Sequence, residues 1–149
     1  MKRRWCWLTV ALVVAVLGCA KEEEPVPAAV APVASLSDAR AVPANISMGQ
    51  TTLLSVKVTD PQGVVKSVNA VVREYPSFSL DFNDAGQEGD EVAGDGIWSY
   101  TVEIPGMAPP GVYNFDFKAC DADGNPITVT SESGEEEPLT AKVAIQVST

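Results

Sequence analysis

The chain has 149 residues, 20 of them Asp or Glu against 10 Lys or Arg, and contains no histidine. That length suits one domain with non-globular flanks, and the excess of acid argues against nucleic-acid binding, which needs a basic footprint. The missing histidine removes the commonest general base and imidazole metal ligand, and three cysteines, at positions 6, 19 and 120, do not make a disulfide framework.

Lys2-Arg3-Arg4 precede an apolar run of 13 residues from Trp5 to Leu17. This is the length of the apolar part of an export signal and falls short of the roughly 20 residues of a membrane-spanning helix. The run closes on Val16-Leu17-Gly18-Cys19 and turns polar at once with Lys21-Glu22-Glu23-Glu24. Those four residues resemble the lipobox of bacterial lipoproteins, an aliphatic residue, a variable one, a small one and then cysteine. The resemblance implies cleavage after Gly18, a diacylglycerol thioether on Cys19 and acylation of the new amino group. Several acyl chains make a firm anchor where a single one is marginal. Ala20 stands where aspartate tends to mark inner-membrane retention in such lipoproteins, so the resemblance implies the outer membrane of a two-membrane bacterium. Losing Lys2, Arg3 and Arg4 leaves seven basic residues against 20 acidic ones. Such a charge repels anionic lipids, which makes an acylated Cys19 the expected membrane attachment.

Residues 1–18 are thus read as the signal and 19–35 as a tether. Pro25, Pro27 and Pro32 disfavour helix and sheet and favour extended polyproline II, reaching on the order of 50 Å over sixteen residues. Residues 36–149 are expected to form the folded domain. Short alternating runs punctuated by turns predict an antiparallel, all-β sandwich of about seven strands. In order these are Ser35 to Val42, Thr52 to Thr59, Val64 to Arg73, Phe78 to Phe82, Ile97 to Ile104, Val112 to Cys120 and Thr140 to Val147. Alternation puts Leu54, Val56 and Val58 on one face of the second run, and Tyr113, Phe115, Phe117 and Ala119 on one face of the sixth, with Cys120 opposite. Asp60-Pro61-Gln62-Gly63 is a turn, with proline at its second position.

Three blocks carry a second resemblance. Val58-Thr-Asp60-Pro-Gln-Gly63-Val, the stretch from Asn83-Asp84 to Gly94-Asp95-Gly96-Ile-Trp98, and Gly111-Val-Tyr113-Asn-Phe115 running to Asp123-Gly124-Asn125 are similar to bacterial extracellular domains of the immunoglobulin and fibronectin III type. The resemblance implies that architecture without the paired core cysteines of antibody domains. Tyr113 is then a candidate tyrosine corner, its hydroxyl bonding a nearby backbone group.

Asn83 to Gly96 holds Asp84, Glu88, Asp90, Glu91 and Asp95 with four glycines. Clustered carboxylates on a pliant loop are the ligands calcium takes, and Asp84, Asp90 and Asp95 are the candidate set. The competing reading is a glycine-rich turn whose aspartates bond backbone amides, and composition favours it. Asp121-Ala-Asp123-Gly124-Asn125, with Glu132 in twelfth place, echoes an EF-hand loop, but Pro126 stands where that loop needs glycine. A strand-end turn is expected there instead. Ser131 to Pro138 reads as a solvated acidic loop.

A non-enzymatic binding, scaffolding or envelope-structural module follows as the leading functional expectation, with an envelope or extracellular protein as partner. A calcium-dependent adhesion module using the acidic loop is the alternative. A carboxylate-pair hydrolase ranks last, because it needs two acids at fixed separation beside a cleft.

Overall fold

The computed structural model describes residues 34–131 and 133–149. The expected signal and tether, with Gly18 and Cys19, lie outside these residues, as does Glu132. Among the described residues the fold is an all-β sandwich of ten strands. They are β1 (Ser35–Val42), β2 (Asn45–Ser47), β3 (Thr51–Thr59), β4 (Ser67–Val72), β5 (Tyr75–Phe82), β6 (Ile97–Glu103), β7 (Gly111–Cys120), β8 (Thr128–Thr130), β9 (Glu136–Pro138) and β10 (Thr140–Ser148). No helix of the described residues is long and apolar enough to cross a membrane.

One sheet has the order β1-β3-β6 and the facing sheet the order β2-β10-β7-β4-β5, while β8 and β9 form a separate hairpin. All seven expected strands are present, and three short ones, β2, β8 and β9, are added to them. Three residues per strand leave too little alternation to be read from sequence. The stretch expected as a solvated acidic loop is partly strand: Glu136–Pro138 pairs with Thr128–Thr130 while staying exposed. β2 lies parallel to β10, so the sandwich is antiparallel except at that edge. β5 begins three residues earlier than expected and takes in Pro76. An edge strand tolerates proline because one row of its amides has no ladder partner to lose.

The inward faces follow the predicted alternation. Leu54, Val56 and Val58 of β3, Val68, Ala70 and Val72 of β4, Phe115 and Phe117 of β7, and Ile145 and Val147 of β10 are all buried in one core. Phe117 stands at its centre, 4.9 Å from the Phe82 ring between centroids. Removing such a side chain costs about 3–5 kcal/mol. Trp98, Tyr100 and Val102 of β6 pack against this core from its partly exposed side. Cys120 departs from the expected alternation. It is buried although Ala119 before it is buried too, because Pro126 bridges to its backbone and Asn69 Nδ2 lies 3.7 Å from Sγ. A smaller cluster of Ala34, Ala119, Ile127 and Leu139 closes that end of the sandwich.

The lateral sides are closed by two joins between the sheets. After Val42 the chain leaves β3 and passes to β10, where Gln146 N–H donates to the Ala44 carbonyl at 2.8 Å. On the other side Asn83, just past β5, bridges to Ser99 of β6 through reciprocal amide–carbonyl bonds of 3.2 and 2.9 Å.

The Asp60–Gly63 turn forms as expected, Gly63 N–H donating to the Asp60 carbonyl at 3.2 Å. Burial pushes the Asp60 carboxyl upward, but backbone amides, with Val65 N–H at 2.8 Å foremost, outweigh it and hold the group below its ordinary value. A carboxyl lowered on folding stabilises the fold above its unfolded pKa, and that contribution disappears as pH falls through the folded value. Asp60→Asn should therefore lower the melting temperature at pH 7, and the gap from wild type should narrow below about pH 4. Parallel thermal melts across that range measure it; a gap constant with pH would contradict the assignment.

Candidate functional site: a three-carboxylate loop on a sheet edge

β6 is the free edge of its three-stranded sheet. An uncovered edge presents unpaired amides and carbonyls to solvent and to other chains. The stretch 83–96 covers this one. Asn83 exchanges both bonds with Ser99, and the Glu88 carbonyl accepts from Thr101 N–H at 3.0 Å. Ser99, 3% exposed on the outward face, is buried beneath this cover, and its cross-strand neighbour Ser55 is buried too. Alternation assigned both serines to solvent; the loop overrides it.

The loop keeps its shape through its own acids. Asp84 Oδ1 accepts from Gly94 N–H at 2.8 Å and Asp95 N–H at 3.2 Å, and its Oδ2 accepts from Gly96 N–H at 3.2 Å. Asp90 Oδ2 accepts from Gly86 N–H at 2.6 Å, and Asp95 Oδ1 from Ile97 N–H at 2.8 Å. Asn83 adds a local turn through Ala85 N–H. These are the aspartate-to-amide bonds of the competing sequence reading.

The same folding brings the three candidate ligands together. One carboxylate oxygen from each of Asp84, Asp90 and Asp95 falls within 4.8 Å of the others, and Asp90 is only 7% exposed. Glu88 and Glu91 are exposed and do not join the group. Asp90 Oδ1 and Asp95 Oδ2 accept no hydrogen bond from the described residues. A carboxylate has about four lone-pair sites in all, so the cluster can bond its amides and still offer oxygen to a cation. Three carboxylates this close are the kind of oxygen set that a hard divalent cation takes as ligands.

Asp121 holds its own turn and stays apart from this group. Asn125 N–H and Asp123 N–H both donate to Asp121 Oδ1 at 2.9 Å, which holds its carboxyl below the ordinary range. The strand-end turn is the form this segment takes. Tyr113 forms the expected corner, its hydroxyl donating to the Pro109 carbonyl at 2.6 Å.

Sequence reasoning missed a cavity of about 420 Å³ between the sheets and beneath residues 104–109. It is lined mainly by apolar side chains, and among the described residues its acidic liner is Glu103 alone. The available signal was Met107, a large apolar residue between Pro105 and Pro109.

No family model matches the sequence, and no curated protein matches it. Among solved structures, an endo-β-1,4-mannanase from Thermotoga petrophila aligns at 11% identity and TM-score 0.41, covering 80% of this chain and 20% of that one. The alkylpurine DNA glycosylase AlkC of Pseudomonas fluorescens aligns at 12% and 0.46, covering 78% and 31%. A Niemann-Pick type C2 protein from the Japanese carpenter ant aligns at 17% and 0.40, covering 78% and 93%. The chain spans less than a third of the first two proteins, and at identities and TM-scores this low none of the three lends it an activity.

Gly89 sets how closely the loop approaches the sheet. Its φ is 104°, and a Cβ there would lie 2.5 Å from Thr101 Oγ1 and 2.6 Å from Leu53 Cδ1. Gly94, at φ 77°, has open space around it. Gly94→Ala should cost the left-handed strain alone, about 1–2 kcal/mol. Gly89→Ala should cost roughly 1–3 kcal/mol beyond that, from overpacking against the sheet. Urea denaturation of the two variants checks the order; equal losses would mean that the loop is not packed on β6.

Proposed function

We propose that this chain is a lipoprotein, anchored through Cys19 in the cell envelope, that presents an immunoglobulin-like domain as a non-enzymatic binding, scaffolding or structural module. The observation that supports this is the polarity of the sandwich. Ala34, where the chain enters the domain, packs with Ala119, Ile127 and Leu139 at one end. The β4–β5 and β6–β7 connections lie at the other, because β1, β3 and their neighbours run antiparallel along its whole length. A domain held by its first strand offers those far loops to a partner. The strand order and the Tyr113 corner favour the immunoglobulin-like reading. The outer membrane is the proposed address, on the strength of Ala20.

Cys19→Ala should leave the domain folded and release it from the membrane fraction. A variant that still sediments with membranes would overturn the anchor. Crosslinking of the wild type in intact envelopes should yield protein adducts, and recovery of free monomer and lipid alone would count against a scaffold.

The convergence of Asp84, Asp90 and Asp95 favours calcium binding as a second reading, in which the ion stiffens the cover over β6 for adhesion. Saturating calcium should raise the melting temperature by about 4 °C or more over chelator, and Asp90→Asn should abolish the rise. No shift in the wild type would sink the reading. The hydrolase reading lacks comparable support, since none of the three converging acids lines the cavity.

A further inference from the structure

β5 and β6 are edge strands of different sheets. They are pinned together at one end only, by the Asn83–Ser99 bridge and by Phe82 against Tyr100 at 6.0 Å between ring centroids. Toward Tyr75 and Glu103 no backbone bond among the described residues joins them, and there the cavity opens. Its floor is the core itself: Leu80, Phe115 and Ile145 on one sheet face Val102 and Ile104 on the other. Its mouth is ringed by Tyr75, Phe78 and Met107, three of the seven large apolar side chains that are exposed among the described residues. The roof is held, since Tyr113 bonds the Pro109 carbonyl and Ala108 N–H donates to the Pro105 carbonyl at 2.9 Å.

A volume near 420 Å³ lies within the range of small-molecule sites, which are largely apolar with few polar groups. Exposing apolar side chains around an opening into the core is unfavourable unless something covers them. The charge at the mouth restricts what that is. Among the described residues no lysine or arginine lines the cavity, Glu103 stands at its rim, and the whole chain carries a net charge of −10. A ligand bearing an anionic head group would meet like charge and find no cation to pair with.

We propose that this cavity is a binding site for the hydrocarbon chain of an uncharged amphiphile, taken up between the splayed edges of β5 and β6 with its head group at Glu103. This does not depend on the anchor or on calcium. Met107, flexible and polarizable, adapts the mouth to the chain, and Phe78 covers it.

The probe is monolaurin, titrated below its aggregation concentration into the full chain, with dodecanoate as the anionic counterpart of the same chain length. Methyl resonances of Met107, Ile104 and Ile145 should shift saturably with monolaurin. Dodecanoate should bind several-fold more weakly at low salt, and the gap should shrink at high salt as the rim charge is screened. Ala108→Phe, which adds bulk at the roof and leaves the core floor alone, should weaken monolaurin at least about ten-fold. Its melting temperature shows whether the fold is kept, and Phe78→Ser at the exposed rim is a second variant expected to weaken binding. Three results would overturn the proposal: no saturable methyl shifts, dodecanoate bound as tightly as monolaurin at low salt, or unchanged affinity in both variants. A dimer that forms without monolaurin binding and dissolves in Phe78→Ser would also overturn it, assigning the mouth to a second copy of the chain.

Discussion

The two sheets depend on being joined where β5 meets β6. At that point Asn83 and Ser99 exchange backbone bonds across the sheet boundary, and just inside it Phe82 touches both Tyr100 and Phe117. The contact fixes the sheet separation at one end of the sandwich and supplies the first bonds of the cover over β6. It also sets the point from which the two edges diverge. The acidic loop and the apolar cavity are consequences of one join, seen from its two sides.

This arrangement explains why acids and glycines are concentrated between Asn83 and Gly96. A loop that pairs with a strand edge must follow backbone paths that ordinary residues resist, and five residues there have positive φ, one of them Glu88. The Gly86, Gly94 and Gly96 amides among them turn inward, and the Asp90 and Asp84 oxygens accept them. Edge protection, turn geometry and carboxylate convergence are therefore one structure. Whatever a cation adds would act on a loop already held by its own hydrogen bonds.

Exposed charges contribute far less to the fold. Arg73 and Asp116 form a bidentate pair across β4 and β7, with bonds of 2.6 and 3.0 Å, and the guanidinium holds the Asp116 carboxyl low. Half of the Arg73 side chain is nevertheless in water, where such pairs are worth little. The domain rests on its apolar faces and on its edge joins.

The sequence by itself determined which residues face inward on the long strands, because alternation with period two is a local property that each run of seven or more residues declares. It determined the Asp60–Gly63 turn, the Tyr113 corner and the identity of the three aspartates, since turn chemistry and acid clustering are also local. Only the tertiary structure decided that Ser55, Ser99 and Cys120 are buried, that Asp84, Asp90 and Asp95 meet within 4.8 Å, and that the core opens beneath Met107. Each of these outcomes arises where segments distant along the chain come together or fail to. The period of a strand carries no record of what covers its outer face or of where two edges part.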